Sequence, residues 1–340
     1  MESIPKGRSE ARRPTIHDVA LEARVGLGTA SRALTGSGRV SPEARARVAA
    51  AIKRLGFEPS PAARALRRGR TQTIGVLIPF FTRHYFLEIL RGIEEATSER
   101  DYALIIYDVE QPEQAKAHLR FLTRTHRVDA LIVVALDGTL LAPALRATGH
   151  TLPIVAVDTT IRGAPAIDVD YEGGVYAVVQ HLLARGHRRI ALIDRAADPV
   201  TNATTLRRRS GYERALREAG VRISPSLVVV ADYSPEAGRI AAASLIKSKH
   251  PTALACASDL QALGAMDAVR QAGLSVPGDV AVTGFHDVEI AGYVGLTTVR
   301  VSMREMGRTA IDFALSLLEG RGDTPACQLV STELVVRSTS

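Results

Sequence analysis

Several features of common protein classes are scarce or missing in this sequence of 340 residues. No apolar run approaches the roughly 18 residues that a membrane-spanning helix needs, so we expect no membrane partner. The first residues, MESIPKGRSEARRPT, lack the apolar core of a secretory signal, which predicts a cytoplasmic protein. Cysteine occurs only at Cys256 and Cys327, outside any CxxC or Cys/His cluster, which argues against a disulfide framework and a zinc site.

Signatures of catalysis and of cofactor binding are also missing. Without a nucleophile elbow, a phosphate loop or paired catalytic carboxylates, we expect a protein that is not an enzyme and that needs no cofactor or metal. One near match is RVGLGTASRAL, residues 24–34, which approaches the G-x-G-x-x-G pattern of a dinucleotide-binding loop. Ser31 replaces the third glycine, and the residues before Gly26 are spaced for a helix instead of a strand, so this interpretation is disfavoured.

The charge that the sequence carries is unevenly distributed. Residues 1–70 hold 15 Lys and Arg against 6 Asp and Glu, a net charge of +9, whereas residues 71–340 hold 28 against 30, a net charge of −2. A basic region on a nearly neutral body predicts a polyanionic partner, most often nucleic acid. The alternative, a solvated basic tail, would show low complexity and no periodicity.

Helix signals follow one another closely in the basic region. Thr15 is a candidate N-cap with Asp18 three residues on, and a second helix is predicted from about Gly26 to Leu34. The sequence SPE at residues 41–43 supplies a cap, a proline and an acid for a third helix, which closes at Gly56. Two helices joined by a tight turn predict a helix-turn-helix, whose second helix enters the major groove of DNA.

The rest of the chain alternates between strand and helix patterns. Short β-branched runs such as TIGVLIP, DALIVVA and RIALID are separated by roughly 12–18 residues of amphipathic helix. This alternation predicts parallel sheets covered by helices, and the number of strands suits two doubly wound lobes better than one sheet. The predicted fold class is therefore an N-terminal all-α helix-turn-helix region followed by an α/β body.

Longer stretches carry a more specific likeness. They are TIHDVALEARVGLGTASRALTGSGRVSPEARARVAAAIKRLGFEPSPAARALRRGRTQTIGVLIP, LLARGHRRIALI, RRRSGYERALREAG, PTALACASDLQALGAMDAVRQAGLSVPGDVAVTGF and LTTVRVSMREMGRTA. In these the chain resembles the LacI/GalR family of bacterial transcriptional regulators. The resemblance implies a body of the type I periplasmic-binding-protein kind, with a small-molecule effector in the cleft between its lobes. It also implies a homodimer at the nucleoid that represses transcription from a palindromic operator in double-stranded DNA.

The resemblance implies four regions along the chain. They are a disordered basic tail at residues 1–14, a helix-turn-helix domain at 15–57, a hinge helix and linker at 58–70, and an effector-binding and dimerisation body at 71–340. Within the body, the first lobe is expected at about 71–160 and 290–322, and the second at about 161–289 and 323–340.

Residues that contact DNA are implied in two of these regions. Leu27 and Gly28 occupy the positions at the start of the recognition helix that reach base edges, and Arg32 can form a bidentate hydrogen bond with guanine. Leu66 of the hinge helix would enter the minor groove as an apolar wedge. The remaining candidates, mainly for phosphate contacts, are Thr15, Thr29, Ser31, Arg64 and Arg67.

Three residues of the helix-turn-helix depart from the family pattern. Arg24 stands where the turn usually has glycine, Gly26 where a serine usually caps the helix, and Thr35 where asparagine is usual. An arginine in a left-handed turn would be strained, so the turn is expected to differ slightly from that of the family.

Effector contacts are expected where the first strand ends. The sequence PFFTRHYF, residues 79–86, holds four of the fifteen aromatic residues and follows the carboxyl end of that strand, where open α/β sheets bind ligands. Phe80 and Phe81 could instead belong to the core. The candidates implied by the resemblance are Phe81, Arg83, Tyr85, Phe86, Asp158, Arg208, Tyr233, Asp259 and His286.

Two further departures change the charge of the expected cleft. Ser258 replaces an asparagine, and His286 replaces an aspartate that often binds sugar hydroxyls in the family. An added histidine beside Arg83 and Arg208 favours an acidic or phosphorylated effector, such as an anionic sugar, or no effector at all, over a neutral sugar. If His286 binds that anion, effector binding should strengthen as the pH falls from about 8 to 6.

Two other functions stay open from the sequence. A cytoplasmic sugar-binding or transport module could share the body fold, but it would not carry the basic helical region. An α/β enzyme could share the fold as well, although no catalytic motif supports it.

Overall fold

The computed structural model describes residues 14–36, 38–57, 70–147, 152–196, 198–201 and 204–340. The chain divides into two compact units, Met1–Thr71 and Gln72–Ser340. The basic tail expected at residues 1–14 lies outside the described residues except for Pro14. The hinge helix expected at 58–70 lies outside the described residues except for Arg70. Its three candidate DNA contacts, Arg64, Leu66 and Arg67, therefore also lie outside them.

The described residues of the first unit form three helices, and the ends of these helices follow from local signals. They are α1 (Ile16–Glu22), α2 (Leu27–Thr35) and α3 (Pro42–Leu55). Thr15 and Asp18 form a reciprocal capping box at the start of α1, and Ser41 caps α3 with its side chain. Gly56 ends α3 in the left-handed conformation, with φ 58°. The predicted helices and caps are confirmed.

A small core joins these helices. It consists of Val19, Ala20, Ala23, Ala30, Val48, Ala51 and Phe57. Four of these seven residues are alanines, so the helices can approach one another closely. Larger apolar side chains pack around them, namely Ile16, Val25, Leu34, Ile52 and Leu55.

The body begins with a parallel sheet of six strands. They are β1 (Thr73–Ile78), β2 (Ala103–Asp108), β3 (Ala130–Val134), β4 (Ile154–Val157), β5 (Ala166–Val169) and β11 (Cys327–Val330), in the order β11-β5-β4-β3-β1-β2. Strands β3 and β4 are buried at every position because helices cover both faces of the sheet. At the edge of the sheet, β1 pairs with β2 from Thr73↔Ala103 to Ile78↔Asp108.

A second parallel sheet and a short ribbon complete the strands. The second sheet is formed by β6 (Ile190–Arg195), β7 (Val228–Ala231), β8 (Ala253–Cys256) and β9 (Ala281–Thr283), in the order β7-β6-β8-β9. The strands β10 (Thr298–Val301) and β12 (Thr332–Val335) pair antiparallel. One cluster of buried apolar side chains draws on both sheets, with Val76 from β1 and Leu192 from β6 among its members.

Nine α-helices lie among the described residues of the body, together with a short 3-10 helix at Pro225–Leu227. They are α4 (His84–Ser98), α5 (Pro112–Thr125), α6 (Gly138–Ala147), α7 (Tyr171–Ala184), α8 (Thr205–Glu218), α9 (Pro235–Lys249), α10 (Asp259–Gln271), α11 (Glu289–Tyr293) and α12 (Met303–Glu319). Helices α4 and α12 meet at Gly92 and Gly307, where a Cβ on either glycine would collide with the backbone of the other helix. None of the described helices is both long and apolar enough to cross a membrane.

The lobe boundaries expected from the sequence need correction at two strands. Both β5 and β11 were expected in the second lobe, yet β5 pairs with β4, and β11 pairs with β5, in the first sheet. Short runs such as AIDV and CQLV contain no information about which of two sheets they join, because strand pairing is set by distant parts of the chain. The first lobe therefore includes residues 166–169 and 327–330.

Candidate functional site

The first candidate site is the exposed face of α2. Leu27 has 42% of its surface exposed, Gly28 and Arg32 are also exposed, and Ala30 is buried in the core of the unit. Thr29 and Ser31 are half-buried. Residues 28 and 32 are one helical turn apart and share a face, as the base-contacting assignment requires.

The turn before α2 keeps Arg24 in the left-handed conformation, although the turn was expected to change because that conformation is strained for an arginine. Arg24 has φ 53°, the left-handed conformation that costs an L-residue roughly 1–2 kcal/mol. The turn closes through hydrogen bonds from the N–H of Arg24 to the carbonyl of Leu21 and from the N–H of Val25 to the carbonyl of Ala20. Gly26 is the N-cap of α2 and offers no side-chain hydrogen bond.

Thr15, another expected DNA contact, uses its hydroxyl in the N-terminal cap of α1. Its hydroxyl donates to Asp18 Oδ2 at 2.7 Å, and the backbone N–H of Thr15 donates to the same oxygen at 2.7 Å. The hydroxyl thus has a structural role at the start of α1, whatever further contact it makes.

The second candidate site is a cavity of about 60 Å³ between the two lobes. By that measure it has room for about four to six water molecules. The wall residues follow the carboxyl ends of strands from both sheets, where open α/β sheets bind ligands. They are Arg83, His84, Tyr85, Phe86, Ala135, Asp158, Tyr171, Arg195, Thr204, Tyr233, Ser258, Asp259, Leu260, His286 and Val288.

Seven of the nine residues expected to contact an effector line this cavity, and Phe81 and Arg208 do not. Phe81 is 38% exposed, and its backbone N–H donates to Asp108 Oδ1 at 3.4 Å. Phe80 packs against the core instead, with the Arg83 guanidinium 4.1 Å from its ring centroid. Phe80 has φ 46°, so the chain turns sharply there and Phe81 does not reach the cavity.

Arg208 lies fully buried beside the cavity wall. Its Nε donates to Asp194 Oδ1 at 2.7 Å, and its Nη1 donates to Thr204 Oγ1 at 2.5 Å. Burial acts to lower the pKa of Arg208. The electrostatic interactions with Tyr233 and Asp194 raise the pKa by more than burial lowers it, so the pKa lies above its ordinary value. Within the described part of the chain, Nη2 has no hydrogen-bond partner. A buried donor without a partner costs about 1–3 kcal/mol, which a ligand acceptor would relieve.

Two tyrosines converge on Asp158 in the cavity. The hydroxyls of Tyr85 and Tyr171 donate to Asp158 Oδ2 at 2.9 and 3.0 Å. Burial raises the pKa of Asp158 to about 6, although both hydroxyls act in the opposite direction. The carboxyl group therefore fixes two aromatic rings in the wall of the cavity.

His286 is packed among aromatic rings. Its ring centroid lies 4.6 Å from that of Tyr85 and 6.1 Å from that of Tyr233. Burial, assisted by the positive charge of Arg208, lowers the pKa of His286 to about 3. Without an effector the imidazole is therefore neutral between pH 6 and 8, which argues against the expectation that its protonation strengthens effector binding in that range.

Asp259 braces the loop that carries His286. Its Oδ2 accepts from the N–H of Val288 at 2.8 Å, and its Oδ1 accepts from the hydroxyl of Thr298. Burial raises the pKa of Asp259 to about 7. With both oxygens engaged, the carboxyl group positions the loop instead of offering a free acceptor to an effector.

Eight wall residues were not among the nine candidates, and they include Tyr171, Arg195 and Thr204. Arg195 is the last residue of β6, in RIALIDR, and its guanidinium carbon lies 5.4 Å from the ring centroid of Tyr233. The sequence could have identified Arg195, because this residue stands at the carboxyl end of a parallel strand, where open α/β sheets bind ligands. Among the described residues, no group of His, Cys, Asp and Glu is arranged to hold a metal ion.

Comparison with known proteins matches both units of the chain. The family described as "Bacterial regulatory proteins, lacI family" matches residues 15–60, and a periplasmic binding protein-like domain matches residues 179–340. A relative named HTH-type transcriptional repressor PurR, from Aliivibrio fischeri (strain MJ11), is 32% identical over 95% of this chain and 97% of its own. One named HTH-type transcriptional repressor CytR, from Escherichia coli (strain K12), is 30% identical over 98% of each chain.

A similar solved structure is that of the Lac repressor dimer bound to operator and the anti-inducer ONPF. Its TM-score is 0.85 with 28% sequence identity, and the match covers 96% of this chain and 99% of that one. The relatives at 30% identity or more extend over nearly the whole length, including the helix-turn-helix and both lobes. The chain therefore belongs to the lacI family of bacterial regulatory proteins.

Proposed function

We propose that this regulator represses transcription by binding a palindromic operator as a homodimer, under the control of a small molecule in the inter-lobe cavity. The observation that carries the proposal is the exposed face of α2, with Leu27, Gly28 and Arg32, in a region whose net charge is +9. The relatives named above are repressors, and the similar Lac repressor structure is a dimer on its operator. Binding to chromosomal DNA implies a cytoplasmic protein at the nucleoid.

Within this proposal the residues of α2 divide into two roles. Arg32 reads guanine through a bidentate hydrogen bond, and Leu27 contacts a thymine methyl group. Thr29 and Ser31 contribute hydroxyls for phosphates, as does Thr15 where its cap allows. The hinge residues Arg64, Leu66 and Arg67 belong to the same proposal, with Leu66 as the minor-groove wedge.

We assign the dimer contact to large apolar side chains that the body exposes. Val230 on the edge strand β7 is 61% exposed, Ile240 on α9 is 57% exposed, and Tyr293 at the end of α11 is 79% exposed. Large apolar side chains exposed in this way are typical of subunit interfaces. A second copy of the chain is the proposed occupant, since an operator with two half-sites requires two recognition helices.

The proposed effector is a small anionic molecule, such as an acidic or phosphorylated sugar, that binds without being turned over. Arg83 and Arg195 line the cavity, and Arg208 Nη2 lacks a partner among the described residues beside it. The contacts proposed for the effector are Arg83, Tyr85, Phe86, Asp158, Tyr171, Arg195, Arg208, Tyr233 and His286. Neither Phe81 nor Arg208 lines the cavity; we leave out Phe81, which is exposed, and keep Arg208 because its buried Nη2 has no partner among the described residues.

The experiment that tests the function is selection of bound duplexes from a random DNA pool, followed by fluorescence anisotropy. We expect a palindromic site whose affinity falls steeply with salt, because several phosphates are neutralised. A duplex with one half-site scrambled is the matched control and should bind much more weakly. Equal affinity for both duplexes, or affinity independent of salt, would contradict the proposal.

A further inference from the structure

Two arginines of the cavity wall come from opposite lobes. Arg83 is the N-cap residue of α4, just after β1 of the first sheet. Arg195 ends β6 of the second sheet. Both line the inter-lobe cavity described above. A group bound between them would therefore contact both lobes at once.

Neither guanidinium is hydrogen-bonded to a carboxylate among the described residues. The ion pair of Arg195 is with Asp198 Oδ2 at 3.6 Å, which is longer than a hydrogen bond, and in the described part of the chain no carboxylate forms an ion pair with Arg83. Burial and the positive charge of Arg195 lower the pKa of Arg83, whereas the charges of Asp198 and Asp232 act in the opposite direction. Both arginines therefore keep N–H donors for a bound anion, with Asp198 and Asp232 as the nearby carboxylates that it competes with.

Aromatic rings hold both guanidinium groups in place. Arg83 lies 4.1 Å from the ring centroid of Phe80, and Arg195 lies 5.4 Å from that of Tyr233. A guanidinium over an aromatic face keeps its N–H donors free at its edge for an anion. Arg195 uses one of these donors on the hydroxyl of Thr201, and the others stay available.

We propose that Arg83 and Arg195 form an inter-lobe clamp for one anionic group, a phosphate or a carboxylate carried by the effector. This inference rests on the effector control proposed above and assigns recognition of the effector's negative charge to these two residues. Without the anion, the ring contact of each arginine lies within its own lobe, Arg83 on Phe80 and Arg195 on Tyr233. With the anion bound, both arginines donate to it, and the same charges draw the lobes together. The effector then stabilises the closed cleft through its charge.

Calorimetry on the full-length protein tests the clamp with three probes: inorganic phosphate, ribose 5-phosphate and ribose. The variants are Arg83→Gln, Arg195→Gln and their double variant. Arg91→Gln is the matched control, since Arg91 lies on the same helix as Arg83 with its side chain 62% exposed. We expect ribose 5-phosphate to bind at least tenfold more tightly than ribose, and the control to bind both as the unaltered protein does.

The double variant separates a clamp from two independent contacts. If one anionic group bridges both arginines, each single variant should lose at least tenfold in affinity for ribose 5-phosphate, and the double variant little more than either. Losses that multiply in the double variant would overturn the clamp. So would an unaffected single variant, or phosphate probes that bind no more tightly than ribose.

Operator binding of the unaltered protein, measured by anisotropy without any probe, distinguishes failure of the clamp from failure of the proposed function. If the operator is bound but the phosphate probes are not, the clamp is wrong and the regulatory function stands. If the phosphate probes bind and the variants behave as expected but no operator is bound, the clamp stands as a binding site and the proposed function is wrong.

Discussion

The guanidinium of Arg32 lies over Gly28 on the exposed face of α2. A Cβ on Gly28 would be 3.5 Å from Arg32 Nη1, an ordinary van der Waals distance. Gly28 therefore provides an open surface along which the arginine extends, and the two positions form one continuous surface for the proposed DNA contact.

Substitution of Arg32 should change base preference more than overall affinity. Arg32→Ala is expected to cost roughly 1–3 kcal/mol at one base pair of each half-site and to relax selectivity there. Arg32→Lys is the matched control, because it keeps the charge and loses the bidentate geometry. Anisotropy with single-base operator variants measures both. If Arg32→Lys keeps full selectivity, Arg32 is a phosphate contact and the assignment is wrong.

Replacing Arg24 with glycine should stabilise the helix-turn-helix. The left-handed φ of 53° costs an L-residue roughly 1–2 kcal/mol, of which the extra entropy of an unfolded glycine offsets about half. Arg24→Gly should therefore slow hydrogen exchange of the α1 and α2 amides by several-fold. Arg24→Ala keeps the strained conformation and should give no such gain. Equal protection in both variants would show that Arg24 acts through its side chain instead.

His286 should make the body sensitive to acid. Its pKa of about 3 in the folded state lies below the ordinary value of 6.5, so the unfolded chain binds more protons between these values. Stability from this group is therefore complete above about pH 6.5 and is lost as the pH falls toward 3. Relative to His286→Gln, the unaltered protein should lose about tenfold in its folding constant per pH unit across this window.

Urea unfolding at pH 4.5, 5.5, 6.5 and 7.5 measures this difference, and the comparison with His286→Gln cancels the titration of all other groups. The titration of His286 should not change effector affinity between pH 6 and 8. A difference between the two proteins that does not change with pH would show that His286 titrates alike when folded and unfolded.

Asp259→Asn should loosen the loop that carries His286. The amide keeps one acceptor oxygen but presents an NH2 donor in place of the other, so one of the two donors, the Val288 N–H or the Thr298 hydroxyl, loses its acceptor at a cost of about 1–3 kcal/mol. Both stability and effector affinity should therefore fall. Asp267→Asn, on the same helix, is the control, since Asp267 bonds Gln271 at the surface. Unaltered effector affinity in Asp259→Asn would rule out a positioning role.

Features set by neighbours in the sequence were predictable. The capping box at Thr15 and the cap at Ser41 depend on residues within one helical turn, so their helices were found. The position of the cavity also followed from the sequence, because the carboxyl ends of parallel strands meet at one edge of a sheet. Arg83 and Tyr85 were placed correctly on that basis.

Features set by distant parts of the chain were not predictable in the same way. The sequences of β5 and β11 contain nothing that selects one sheet over the other. The side-chain orientations of Arg208 and Asp259 are set by hydrogen bonds to buried partners, Asp194 and the N–H of Val288. The low pKa of His286 depends on burial and on Arg208, which is far away in sequence. Such properties arise from tertiary packing.

The contact between Gly92 and Gly307 limits the freedom of α4. This helix begins beside Arg83 in the cavity and runs fifteen residues to Ser98, a length of about 22 Å. Beyond its far end the chain enters β2, whose first residue pairs with Thr73 at the start of β1. A Cβ on either glycine would collide with the facing backbone, so α4 and α12 touch backbone to backbone near the middle of α4. One continuous helix therefore connects the cavity residue Arg83 with the strand that pairs with the first residues of the body.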